Sequence, residues 1–340
     1  MAPPVTPHDR LQLLADRVRR QDPSLETLLL EPDGKYQTRR VTLDVLMREM
    51  TDCLAAGFAG RAATDFPMHY LAWGKCRVGS TALTNLFGVT GMPSYYQPLK
   101  MMLRHLFVGQ QPAPWIIPRA ADQPQIFSKE TAGPYVVAES LFNPLRLLIE
   151  AGYPPHRLQL IMLDREPKSS LASSLDKLAG CVPDAMLLQN YVVAALNATR
   201  IESYARQQGV PVIHYVYEAS KEAVRSVRTL FDRLGLAGRF SETAVTDWRN
   251  TGKLRSDSSR ITFGDEPSIY DVAGLHGADT AYRYHPRDTE TLSAYQRDML
   301  ERCGVNEVYR GSVEACIRDL GLDAATAARL FSHTVTHEPA

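Results

Sequence analysis

From Met68 onward the chain alternates short apolar runs with polar turns and amphipathic stretches, and this rhythm constrains the fold more than any other feature. A strand that rejoins its sheet in parallel needs a crossover, usually a helix, so repeated strand–turn–helix units predict an α/β fold. Residues 68–73, 125–128, 158–163 and 211–217 read as strands. Helical periodicity follows each of them, over 81–88, 139–151, 167–178 and 220–234, and a longer helix is predicted over 186–208, ended by Gly209 and Pro211. Pro167 suits a first helical turn, where its missing N–H would be unpaired in any case. Residues 1–60 read as an N-terminal helical extension, with Leu11, Leu14 and Val18 on one face and Val41, Val45, Leu46 and Met50 on another. The α/β domain is expected over 61–340, and its tail, 288–332, reads as two or three helices broken at Gly304 and Gly321. The expected architecture is three-layer, with a mostly parallel sheet between helical layers.

Charge narrows the partners. Thirty-eight Lys and Arg balance 38 Asp and Glu, so there is no global field to attract nucleic acid or an anionic membrane, and any anion site must be local. No apolar stretch approaches a membrane span, residues 1–10 hold three prolines and no signal-type apolar core, and the chain is expected to be cytoplasmic. Cys53, Cys76, Cys181, Cys303 and Cys316 are scattered without paired spacing, which predicts free thiols and no metal site.

Two turns carry the chemistry. After the first strand come Gly74, Lys75, Cys76, Arg77, Val78, Gly79, Ser80 and Thr81, a Gly-bearing turn into a helix whose N–H groups can converge on an anion. Compared with the nucleotide-hydrolase pattern G-x-x-x-x-G-K-[ST], Gly74, Gly79 and Thr81 fit, but Ser80 replaces the lysine, which disfavours an ordinary kinase or ATPase. After the third strand come Asp164, Arg165, Glu166 and Pro167, with Ser173 two turns along the next helix. An arginine fork and a hydroxyl so placed can grip one phosphate.

Together, Arg77-Val78-Gly79-Ser80-Thr81 and Arg165 with Ser173 resemble the two cofactor signatures of sulfotransferases that use 3′-phosphoadenosine 5′-phosphosulfate (PAPS). The resemblance extends to Ser94-Tyr95-Tyr96-Gln97-Pro98-Leu99, which is similar to an aromatic run ending Glu-Pro-Leu. It also takes in residues 214–218 and 230–236, which look like the family's late strand and the helix ending Leu-Gly-Leu. It covers about 68–236. It implies a P-loop-like turn, Lys75 to Thr81, that binds the 5′-phosphosulfate, and an Arg165–Ser173 pair that binds the 3′-phosphate. It further implies sulfuryl transfer to a hydroxyl or amine of a small-molecule, carbohydrate or lipid-like acceptor, with PAP as product and no metal.

The acceptor proton needs a base. Glu130 falls near the place where some heparan-type members carry a catalytic glutamate, and Lys129 matches the lysine of cytosolic members, which would put charge on the leaving oxygen. Strand alternation sets these two neighbours on opposite faces, so one assignment is at risk. His105 is the other candidate base, whereas Gln97 holds no proton at neutral pH. A polar segment over 250–260, with Lys253 and Arg255, is the expected lid over the nucleotide, and Tyr95, Tyr96, Trp115 and Trp248 are candidate acceptor-pocket residues. Two other readings stay open: a non-catalytic PAP- or PAPS-binding protein of the same fold, and a divergent P-loop kinase using Asp164 for magnesium.

Overall fold

The computed structural model describes residues 7–249, 261–271 and 280–332. The expected lid, including Lys253 and Arg255, lies outside the described residues. Among those described, six parallel strands form one sheet: β3 (Met68–Lys75), β4 (Ser94–Tyr96), β5 (Gln125–Ala132), β6 (Leu158–Asp164), β7 (Val212–Val216) and β8 (Ile261–Phe263). Their order is β7-β6-β3-β5-β4-β8, and a small antiparallel pair, β1 (Leu29–Leu30) with β2 (Val41–Thr42), stands apart. All four strands expected from the sequence are present. The edge-side strands β4 and β8 have only three residues each, too short to show a period of two.

Alternation along the strands sends side chains into two separate cores. Leu71, Trp73, Leu160 and Met162 pack on one face, while Tyr70, Ala72, Ile161 and Leu163 pack on the other. The first face carries α1 (Pro7–Arg19), α2 (Leu43–Phe58), α4 (Pro98–Phe107), α5 (Val137–Leu141), α6 (Pro144–Glu150), α7 (Pro167–Leu178) and α8 (Asp184–Gln207). The second carries α3 (Ser80–Val89), α9 (Ala223–Arg233) and α10 (Glu242–Thr246), and α11 (Ala294–Arg302), α12 (Val305–Leu320) and α13 (Ala324–Leu330) complete the chain, α12 lying along β7. The architecture is therefore three-layer α/β. The N-terminal segment is built into it, since Leu11, Val18, Leu46 and Met50 share a core with the sheet and α1 packs on α8.

Local chemistry explains the element ends. The helix expected over 139–151 is split into α5 and α6 because Pro144 cannot continue a helix from behind, and it starts α6 at a position capped by the Asn143 side chain. Gly304 and Gly321 break the tail as expected, each in the left-handed region with φ +78° and +62°. Among the described residues no helix is long and apolar enough to cross a membrane.

Candidate functional site

The C-terminal ends of β6, β3, β5 and β4 form the floor of a cavity of about 590 Å³. In open α/β sheets such a crevice is the usual place for a ligand. Here β3 connects onward towards β4 on one side, and β5 connects towards β6 on the other.

The turn after β3 enters the cavity under tight backbone constraints. A Cβ on Gly74 would stand 2.5 Å from the Leu163 carbonyl oxygen of β6, so glycine permits the close strand approach. Gly79 has φ +76° and a Cβ there would lie 2.4 Å from the Tyr217 ring. Arg77, which has a side chain, also adopts φ +68°, a conformation that costs energy and concentrates at functional sites. Gly79 precedes α3 and has no side chain to cap it, and the first N–H groups of a helix lack intrahelical partners.

Arg165 leaves β6 beside this turn. Its Nη1 donates to the Arg77 carbonyl at 3.2 Å and its Nη2 to the His285 carbonyl at 3.0 Å, and the guanidinium lies 4.6 Å from the Tyr217 ring centroid. Its Nε is buried with no hydrogen-bond partner among the described residues. On α7, whose N-terminus is capped by the Glu166 carboxylate, Ser173 accepts from Arg77 Nε at 3.1 Å. Two segments 96 residues apart are thus in direct contact.

Across β3 the character of the wall changes. Lys129 on β5 is buried, with Nζ 3.4 Å from Ser80 Oγ and 3.9 Å above the Tyr96 ring, and desolvation lowers its pKa to about 7. Lys100, in the first turn of α4, donates to the Gly133 carbonyl and is also shifted down by burial. Arg104, one turn further on, pairs with Glu139 at 2.6 Å and with Glu266, and its guanidinium lies over Tyr135 and Tyr270.

The cavity gathers most of the residues singled out from sequence: Cys76, Arg77, Gly79, Ser80, Thr81, Lys129, Arg165 and Ser173 all line it, as do Tyr96 and Trp248. Others lie elsewhere. Lys75 is buried in an ion pair with Asp164, and Val78 is part of the core beneath the turn. Tyr95 and Trp115 pack edge to face at 5.3 Å, away from the cavity. Glu130 is fully buried on the face of β5 opposite Lys129, where its carboxylate accepts from the backbone N–H groups of Leu99 at 2.9 Å and Lys100 at 3.2 Å. Burial raises its pKa to about 7. His105 contacts Gln110 and the Asp265 carbonyl outside the cavity. Neither candidate base therefore reaches the cavity, and strand alternation is the reason for Glu130.

Sequence reading missed Lys100, Arg104, Lys177, Glu266, His285 and Arg287, all of which line the cavity. Only Lys100 left a signal: a lysine two residues after Pro98, in a first helical turn, opposes the helix dipole. Among the described residues, Arg77, Lys100, Arg104, Lys129, Arg165, Lys177 and Arg287 face a single lining carboxylate, that of Glu266. In a chain of zero formal charge this makes the cavity a local concentration of positive charge, suited to an anion.

No protein-family model, no curated protein and no solved structure matches this chain.

Proposed function

We propose that the chain is a sulfotransferase that moves a sulfuryl group from PAPS to a hydroxyl or amine acceptor. The observation that carries this reading is the contact between the two candidate phosphate-binding turns: Arg77 meets Ser173, and Arg165 meets the Arg77 carbonyl. In this reading the turn after β3 and the start of α3 take the 5′-phosphosulfate, while Arg165, with its unpartnered buried Nε, and Ser173 take the 3′-phosphate.

The chemistry is an in-line displacement. The acceptor oxygen bonds to sulfur, the bond from sulfur to the bridging phosphate oxygen breaks, and PAP departs with the electron pair. Lys129 and Arg77, with the α3 N–H groups, are suited to neutralise charge on the leaving phosphate and the equatorial oxygens, an effect worth about 10²–10³ in rate per donor in comparable sites. The acceptor proton goes to a carboxylate in this scheme, and Glu266 lines the cavity where Glu130 does not.

The kinase reading finds less support, because Asp164, its candidate magnesium ligand, is buried against the Lys75 ammonium. Calorimetric titration with PAP without metal, and separately with ATP and magnesium, tests the nucleotide. Incubation with labelled PAPS and pooled acceptors then tests transfer. Metal-independent PAP binding with a sulfated product supports the proposal, PAP binding without any transfer supports the non-catalytic alternative, and binding of ATP–magnesium alone overturns it.

A further inference from the structure

The residues assigned to the proposed donor line only part of the cavity. Along its floor the strand order is β6, β3, β5, β4: Arg165 follows β6, the Arg77 turn follows β3, Lys129 sits on β5, and Lys100 follows β4 on α4. Three strand spacings, roughly 14 Å, separate β6 from β4. The Lys100 backbone therefore lies beyond Lys129 from the Arg165 end, and its ammonium reaches back to the Gly133 carbonyl after β5, which the Cys76 thiol of the turn also contacts at 3.4 Å.

Its environment is unusual. Lys100 is 1% exposed, its ammonium has the Gly133 carbonyl as partner, and no carboxylate forms an ion pair with it among the described residues. The Arg104 guanidinium next to it is answered by two carboxylates. A buried ammonium without a salt-bridge partner is unfavourable and the positive end of the α4 dipole adds to the cost; the nearby Glu139 and Glu266 carboxylates offset part of it, but burial still dominates. Both costs fall on a residue that lines the cavity, and an anion arriving there would relieve both.

We propose that the acceptor is itself an anion: a hydroxyl compound bearing a carboxylate or phosphate, which Lys100 holds while the hydroxyl faces the sulfuryl group. This inference rests on the donor reading above. Arg104 serves as a positioning residue, fixed between Glu139 and Glu266 and stacked on Tyr135 and Tyr270, and so shapes the wall beside the bound anion.

The test uses the full chain saturated with PAP, so that the donor half is filled. It is titrated calorimetrically with benzoate against benzamide, glucuronate against glucose, and glucose 6-phosphate against glucose. At least one anion should bind about tenfold or more tightly than its neutral counterpart, as expected for a charge-assisted contact. Lys100→Met should abolish the preference and Lys100→Arg should retain it, with PAP affinity equal to that of the parent in both. If Lys100→Met does not fold, the parent pairs and Lys100→Arg decide. No anion preference in the PAP-loaded parent overturns the inference and leaves the donor reading standing. So does a preference that survives Lys100→Met, or a loss of PAP affinity in Lys100→Met, which would assign Lys100 to the donor. A parent that binds no PAP overturns the donor reading and this inference with it.

Discussion

The two halves of the cavity are both cationic but are built differently. On the β6 side, guanidiniums are held by main-chain carbonyls and a neighbouring serine: Arg165 by Arg77 and His285, and Arg77 by Ser173. On the β4 side, two ammoniums, Lys129 and Lys100, are buried without ion-pair partners among the described residues, and burial lowers the pKa of each. Arginine stays charged wherever it is placed, whereas burial lowers the pKa of a lysine, bringing that of Lys129 to about 7. The first half thus holds a fixed positive charge, and the second, through Lys129, changes its charge with pH.

The sharpest test of that contrast is Lys129→Met. Turnover should fall by about 10²–10³-fold, with the PAP dissociation constant changed only a few-fold, in steady-state kinetics paired with calorimetry. Because Lys129 loses its proton as pH rises through about 7, kcat/KM of the parent should decline above that value, and the variant should lack this limb. Equal losses of turnover and PAP affinity would mean that the two halves act as one clamp. Glu266→Gln should lower turnover by about 10²-fold while PAP still binds, since it removes the proposed proton acceptor. Normal turnover in that variant would place the base elsewhere.

On the opposite side, Arg165→Ala should weaken PAP by about ten- to a hundredfold, from the loss of a charge-assisted contact worth about 1.5–3 kcal/mol, with turnover at saturating PAPS less affected. Unchanged PAP binding would remove the 3′-phosphate from this corner. Gly79→Ala forces a left-handed alanine, costing about 1–2 kcal/mol, and pushes against the Tyr217 ring. Its melting temperature should drop by several degrees and its PAP affinity by several-fold, and parent-like values in both would show that the turn yields.

The smallest functional effect is expected from Glu130→Gln, with turnover within a few-fold of the parent. Its signature lies in stability. Burial raises the folded-state pKa to about 7 from an ordinary 4.5, so the folded chain holds this proton more tightly than the unfolded chain does. This residue's contribution therefore makes stability fall as pH rises from about 4.5 to 7. Urea unfolding at pH 5 and pH 7 should show a smaller drop in the Gln variant than in the parent. An unchanged drop would mean that Glu130 stays ionised in the fold.

The difference between the halves also explains how much of the site could be read from sequence. Arg77, Gly79 and Ser80 form a contiguous turn, and Arg165 and Ser173 sit at fixed spacing on one strand–helix junction, so each group is a local pattern. The β4 side draws Lys100 and Arg104 from α4, Lys129 from β5 and Glu266 from a segment far along the chain, with Glu139 behind them, and no spacing links these separate segments. Glu130 misleads because the adjacent residue faces the cavity, and in a strand the residue beside a cavity-lining one points the other way. The four longer strands were legible because each is an apolar run bounded by turns, whereas β4 and β8 are strands by virtue of their neighbours, β5 and β4 respectively.

The central position of β3 also bears on how the protein is made. Its partners β5 and β6, and the Tyr217 ring that closes over Gly79, all come later in the chain, as does the His285 carbonyl that fixes Arg165. During synthesis β3 has both strand partners once about a third of the remaining polypeptide has emerged, but the Gly-bearing turn stays uncovered until Tyr217 arrives, after more than half of it. The nascent chain therefore completes the cavity late, and capture of PAP, the proposed ligand, by ribosome-bound chains of increasing length would date the moment at which the sheet closes around it.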